Sequence, residues 1–554
     1  MTTRGPRRFR AIWLCAWLAL ATAGPVPSIH AAPPASRAPE AAGDSWIRKL
    51  DPFLRRMALG SSWRDGRFDG AIPPGSVAAR RSLPSFVLAE SGDAGPVLFV
   101  KGRLETARVG ETGVNPAGGE TALVQRLAAI GVEVRGRVGA IASLRVPAAA
   151  LEGLARLQEV VWLKAAHGYR TQNEISTGPG QVASDEASAT FGTRGAGVIV
   201  AVVDTGIDWT NLDFRNADGT TRLLGLWDQT LSDPLHPPPD GFSFGAFYGR
   251  ADIDAALASG GGLATADGHG HGSHVAGSAA GNGLQTGLGV PAGTFAGVAP
   301  EADLIAVRVF NASGIFCAAC DLTAAVQFIQ RSAAAAGKPW VGNMSLGTNL
   351  GAHDGSDPDE LTIDAAVGPG HPGASLAVAA GNSGASRIHW EGTLTTGSVL
   401  GNSFTLPSYS ARTGSDNDFI WLDLWHAASD QMTVEVVTPG GTHIAASTGT
   451  DSGIVCTTSG AVQVDARNAP DAANGADEVF VQIWDSGSCS PVRPPRSGTW
   501  SIQILGDGIA PGGGRFDLWD EADLSGPNSV TLATYSLSRT VTVPGTSRHA
   551  LTAA

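Results

Sequence analysis

Four short apolar runs between residues 197 and 380 constrain this chain more than any other feature: 197–203 (GVIVAVV), 304–310 (LIAVRVF), 340–344 (WVGNM) and 375–380 (SLAVAA). The first is a continuous β-branched run, the mark of a strand covered on both faces. Helical segments fall between the runs, for example 321–336. Alternation of this kind predicts an α/β fold built on an open parallel sheet, with chemistry at the carboxyl ends of the strands.

The flanking regions read differently. Residues 96–166 give a strand at 97–101, then a helix with Leu123, Leu127 and Ile130 on one face. Alternating stretches follow at 132–138 and 140–146, then a helix with Leu151, Leu154 and Leu157, then a strand at 160–163. That order, βαββαβ, predicts a small ferredoxin-like sandwich. Residues 387–530 instead carry aromatic, alternating strands at 419–425, 432–437, 478–484 and 499–505, separated by Gly, Pro, Ser and Asp turns, the pattern of a β-sandwich. At the N-terminus, Arg4, Arg7, Arg8 and Arg10 precede an apolar run at 11–24 and the small residues Ala31 and Ala32. Residues 1–32 are therefore expected to be a signal peptide, and the mature protein secreted or periplasmic. Residues 33–95 read as a low-complexity linker with one helix near 46–57.

Charge narrows the partners. The net charge of −13 is spread without runs of like sign, and there is no basic cluster of the kind nucleic acid requires. No later stretch reaches the roughly 20 apolar residues of a membrane helix, so no membrane contact is expected after signal removal. Removing Cys15 with the signal leaves Cys317, Cys320, Cys456 and Cys489. An even number in an oxidising compartment favours the disulfides Cys317–Cys320 and Cys456–Cys489. A metal site is the rival reading, but one CxxC pair supplies half a tetrahedral shell.

Three motifs stand at or just beyond the carboxyl ends of the predicted strands: VVDTGID at 202–208, HGSHVAG at 271–277 and AAGNSG at 379–384. Asp204 ends a buried strand, where a carboxylate can orient an imidazole and stabilise it once protonated. In isolation it would serve equally well as a cap. His271 opens a run of small residues, and Asn382 could be either an amide donor or a turn residue. Asp267, His269 and His274 raise a metal cluster as an alternative, though further ligands are missing.

In residues and in chain order these motifs are similar to the Asp, His and oxyanion segments of subtilisin-like serine proteases, the subtilases. The resemblance spans 175–384 and 541–552 and implies Asp204 and His271 as catalytic residues and Asn382 as the oxyanion donor. It also implies that Ser345, Leu346 and Gly347 bind an extended substrate. Residues 387–530, with GTW at 498–500 and FDLW at 516–519, resemble the jelly-roll insert of clostridial Csp-type subtilases. The expected organisation is then a propeptide at 96–174, the first part of the catalytic domain at 175–386, the inserted sandwich at 387–530 and a return to the catalytic domain at 531–554. The family's Gly-Thr-Ser-Met-Ala segment has no convincing counterpart. Gly545-Thr546-Ser547 is followed by Arg548-His549 and by only seven residues in all, about 10 Å of helix. Ser547 instead matches a non-catalytic small residue, and the chain is expected to break off before the nucleophile and to be inactive as it stands. The resemblance implies polypeptide substrates, the chain's own propeptide as a partner, and no cofactor in the chemistry. Structural calcium is compatible with it, but no calcium site is identifiable from the residues. The alternative is a non-catalytic secreted relative that binds a protein or glycan through its β-sandwich.

Overall fold

The computed structural model describes residues 45–51, 54, 55, 58, 89–92, 95–105, 116–166, 170–171, 188 and 190–554, the last span without 287–288, 313, 315, 318, 468–470, 472 and 525–529. The expected signal peptide and most of the expected linker lie outside these residues. A short 3-10 turn, Ser45–Lys49, stands where the early helix was expected to begin. Alternation of apolar residues then produces β1 (Ala89–Gly92), β2 (Gly95–Leu104), α1 (Pro116–Ala129), β3 (Glu133–Val138), β4 (Ile141–Pro147), α2 (Leu151–Ala155) and β5 (Val160–Ala165), followed by the two-residue β6 (Arg170–Thr171). The strand at 89–92 lies inside the span 33–95 expected to be linker. β4 pairs between β2 and β3, and β5 and β1 share the other edge of β2, all antiparallel. This is the ferredoxin-like order that the βαββαβ pattern predicts.

One face of that sheet is sealed by its own helices, with Leu123 and Leu127 of α1 and Leu151 and Leu154 of α2 against Leu98, Val100, Leu144 and Val146. The pleat sends Phe99 and Val138 to the other face, into the core of the next region. There the chain forms β7 (Ile199–Asp204), β8 (Leu223–Asp228), β9 (Ala246–Gly249), α3 (Arg250–Ser259), α4 (His271–Ala280), β10 (Asp303–Arg308), α5 (Leu322–Ala336), β11 (Trp340–Met344), β12 (Leu346–Gly347), α6 (Pro358–Ala366) and β13 (Ala374–Ala379). The strands order as β13-β11-β7-β10-β8-β9, parallel except for the β8–β9 pair. Ile199, Ala201 and Val203 pack with α5, while Val200 and Val202 pack with Val275 and Ala276 of α4. Both faces of β7 are thus buried, which is why its sequence is apolar at every position. After β9 the strands step back through β10 to β7 and continue on its far side, so β7 borders the point where the strand order reverses. Crevices at such points are where open α/β sheets bind ligands.

The N-terminal sheet is fastened to this body by contacts that sequence spacing could not reveal. Lys101 of β2 is buried and lies 3.2 Å from Asp321, the cap of α5, and 3.1 Å from Asp359 in the first turn of α6.

The described residues of 389–532 form eleven strands: β14 (His389–Thr393), β15 (Val399–Leu406), β16 (Phe419–Ala427), β17 (Gln431–Val437), β18 (His443–Ser447), β19 (Val455–Thr457), β20 (Gly460–Asp465), β21 (Ala476–Trp484), β22 (Gly498–Gly508), β23 (Arg515–Asp523) and β24 (Thr531–Leu532). They form two antiparallel sheets, β14-β23-β16-β21-β20-β19 and β18-β17-β22-β15-β24, with Phe404, Ile420, Leu422, Val434, Trp500 and Ile502 among the residues between them. Both expected disulfides form, Cys317–Cys320 and Cys456–Cys489. Past the sandwich the chain rejoins the parallel sheet. Val543 exchanges two backbone hydrogen bonds with Thr348, each 2.9 Å, and β25 (Leu551–Ala553) adds parallel to β13.

Candidate active site

Asp204 is the last residue of β7 and is completely buried. His271 is the first residue of α4, whose side packs on β7. The two meet at the carboxyl edge of the sheet, with His271 Nδ1 2.7 Å from Asp204 Oδ1. A carboxylate only accepts, so the proton of a neutral imidazole is held on Nδ1 and the lone pair lies on Nε2. Nε2 is itself buried and has no hydrogen-bond partner among the described residues, and Asp204 Oδ1 takes a second donor, the Thr205 backbone N–H at 2.6 Å. The close approach of α4 requires glycine at 272. A Cβ there would stand 2.1 Å from the Gly206 carbonyl oxygen.

Asp267, considered from the sequence as part of a metal cluster, instead anchors the start of α4. Its carboxylate accepts the backbone N–H of Gly270 and of Ser273, both at 2.8 Å, and the hydroxyls of Ser273 and Thr205. Burial alone would raise this carboxyl, but the donors from Ser273, Gly270 and Thr205 outweigh it and hold Asp267 below the usual carboxylate range. Among the described residues no group of three or more His, Cys, Asp or Glu side chains is arranged to hold a metal ion. The sequence signal that could have found this role is an acid three residues before the Gly270 that precedes the helix, a position from which a side chain reaches free N–H groups.

Asn382 lies in the turn after β13. Val202, Asn343 and Ala377 stand in register across β7, β11 and β13, so Asp204 and Asn382 emerge from the same edge of the sheet. The turn is fixed against the returning chain, because Gly381 has φ +94° and a Cβ there would lie 2.5 Å from Thr542. Ser345 accepts a hydrogen bond from Asn343, 3.0 Å away, and Leu346 and Gly347 form β12. β12 pairs antiparallel with β6, matching Leu346 to Thr171 and Gly347 to Arg170. This edge accepts an extended chain by strand addition. Ser547 is not at the site: it is buried beside α6 and donates its hydroxyl to Asp364 at 2.6 Å.

An Asp–His pair at the turning point of a parallel sheet, near a strand edge that already carries an added strand, is the arrangement that serine proteases use. Comparison with known proteins agrees: residues 195–469 match the Subtilase family. The chain is 33% identical over 201 residues to the PII-type proteinase of Lacticaseibacillus paracasei, covering 35% of this chain and 10% of that one. It is also 33% identical over 201 residues to Subtilisin Savinase of Lederbergia lenta, covering 36% of this chain and 53% of that one. The chain thus spans about a tenth of the first relative's length and about half of the second's. In fold it resembles the CspB protease of Clostridium perfringens, with a TM-score of 0.51 and 23% identity over 66% of this chain and 70% of that one. Together these likenesses support assigning the chain to the subtilase family.

Proposed function

We propose that the protein is an exported serine endopeptidase in which His271 is the general base, Asp204 orients it and Asn382 donates to the oxyanion. No serine among the described residues is hydrogen-bonded to His271 Nε2, and in this reading the nucleophile is the part of the machinery missing from this chain; a serine hydroxyl presented there would give up its proton as its oxygen bonds to the substrate carbonyl carbon. The proton then passes to the leaving amine as the peptide bond breaks, and water releases the acyl group by the same route. Ser345, Leu346 and Gly347 would hold the substrate backbone as an added strand. The N-terminal sheet domain acts in this reading as a propeptide whose tail, at Arg170–Thr171, occupies that edge before cleavage. Export is proposed from residues 1–32, and no helix among the described residues is long and apolar enough to cross a membrane.

The observation that carries this reading is the 2.7 Å pair at the carboxyl edge of the sheet, with its second ring nitrogen left without a hydrogen-bond partner among the described residues. It is tested with protein isolated from its host, assayed on an unstructured polypeptide and with a serine-directed phosphonate. Hydrolysis and labelling should both be present and both be lost in H271A, while S547A should change neither. Labelling that disappears in S547A would move the nucleophile to that residue. A folded protein that neither hydrolyses nor labels would overturn the enzyme reading.

A further inference from the structure

The Asp204–His271 contact joins two chain segments 67 residues apart, and the hydrogen bond between the two side chains is only one of their links. Gly270, the residue that caps α4, has no side chain and sits in the left-handed region at φ +88°. The free N–H groups at the start of that helix therefore need an acceptor from elsewhere. Asp267 supplies it. Oδ1 accepts from Gly270 N at 2.8 Å and His269 N at 3.3 Å, and Oδ2 accepts from Ser273 N at 2.8 Å. The same carboxylate reaches the other segment. Oδ1 takes the hydroxyl of Thr205, the residue after Asp204, at 2.8 Å, and that hydroxyl accepts Gly272 N at 2.8 Å. Ser273, also held by Asp267, closes the circuit by accepting Asp208 N at 2.8 Å.

We infer that Asp267 is a positioning residue for the proposed base: one carboxylate ties the segment after Asp204 to the helix start that carries His271 and so sets the Nδ1–Oδ1 contact. The inference rests on the proposed role of that pair. Each oxygen of Asp267 receives a backbone N–H, and a backbone N–H cannot turn round to accept. An amide at 267 would aim its NH2 at Gly270 N–H or at Ser273 N–H whichever way it flipped. Asn is therefore not a conservative replacement, although it has nearly the same shape. The consequence falls on geometry, because a shift of about 1 Å at a reacting group costs about a hundredfold in rate.

The test is nuclear magnetic resonance of the 554-residue chain with isotope-labelled histidine. The reporter is the downfield proton between His271 and Asp204, assigned by its disappearance in H271A. In D267N that resonance should be lost or move upfield, toward that of an imidazole bonded to water, while the melting transition remains cooperative. In host-derived protein, kcat should fall about a hundredfold with KM unchanged. Should D267N not fold, T205V decides. It removes only the hydroxyl that bridges the two segments and should shift the same resonance by a smaller amount. An unmoved resonance in folded D267N, or in T205V, would overturn the inference. A downfield resonance that survives H271A would instead break the reading of the Asp204–His271 pair.

Discussion

Among the described residues, two of the histidine–carboxylate pairs leave a buried ring nitrogen without a hydrogen-bond partner, and only one of the two has the setting proposed for chemistry. His271 and Asp204 meet at 2.7 Å, and His389 and Asp517 at 3.0 Å. Both carboxylates end up buried and both imidazoles keep one nitrogen without a hydrogen-bond partner. The difference lies in what surrounds them. Asp517 sits inside an antiparallel ladder, opposite Glu391 of β14 and Trp425 of β16, and it also receives Arg539 at 2.9 Å and Arg515 at 3.2 Å. Its imidazole is fully enclosed and stacks on Trp519 with 4.8 Å between ring centroids. Asp204 ends a parallel strand, forms no ion pair with an arginine among the described residues, and leaves its histidine partly exposed. A bonded imidazole is therefore not enough. What separates the two is the exposure of the imidazole, 13% for His271 against none for His389, and the arginines that share Asp517.

The sharpest way to break this contrast is to remove each histidine in host-derived protein. H271A should lower kcat by about a millionfold, the general cost of losing the base of such a triad, with the melting temperature little changed. H389A should do the reverse, lowering the melting temperature while each folded molecule turns over as before. Equal losses of turnover would erase the distinction. Next in size is W519A. Trp519 is almost completely buried, stacks on His353 at 4.2 Å as well as on His389, and donates to the Arg539 carbonyl at 2.8 Å. Truncation should cost about 3–5 kcal/mol in denaturant unfolding, as for other buried aromatic deletions. The downfield His271 resonance should stay where it is, because the two pairs share no partner.

The two pairs also differ in how far the sequence discloses them. Asp204 and His271 are legible because a buried apolar strand ends on the acid and a string of small residues starts on the histidine. The N-terminal sheet is legible for a similar reason, since its alternation is regular and its helices carry leucines at helical spacing. His389 and Asp517 carry no such mark. They are 128 residues apart, and only the register of β14 on β23 brings them together. The sequence offers Asp267 only as part of a metal cluster that lacks further ligands, and its positioning contacts stay hidden because its partners are mostly backbone N–H groups, which every residue has. Strands β8 and β9 were hidden by glycines at 225 and 249, which interrupt the apolar pattern. Gly225 is there because a Cβ would stand 2.6 Å from the Phe247 ring, a constraint set by the neighbouring strand. Lys101 shows the same limit. It looks like an ordinary polar residue of an alternating strand, and its carboxylate partners lie more than 200 residues downstream.

The smallest predicted effect concerns pH. Burial would raise the Asp517 carboxyl, but the hydrogen bonds from His389 and Arg515 and the charge of Arg539 outweigh it and hold it below its usual value of 3.8. A carboxyl lowered by folding releases its proton more readily in the native state than in the unfolded one. Its contribution is thus fully present above the unfolded value and is lost as pH falls through the folded value. D517N should therefore be less stable than the parent near pH 7, and the gap should close in acid below about pH 4, the unperturbed range for Asp. The arginine side chains are about half exposed, 52% for Arg515 and 48% for Arg539, so salt should also narrow the gap at neutral pH. Melting temperatures of the two proteins across pH and salt check both trends. A gap that stayed constant into strong acid would mean that Asp517 acts through packing alone. The contrast with Asp204 would then rest on exposure of the imidazole, with the arginines contributing nothing to it.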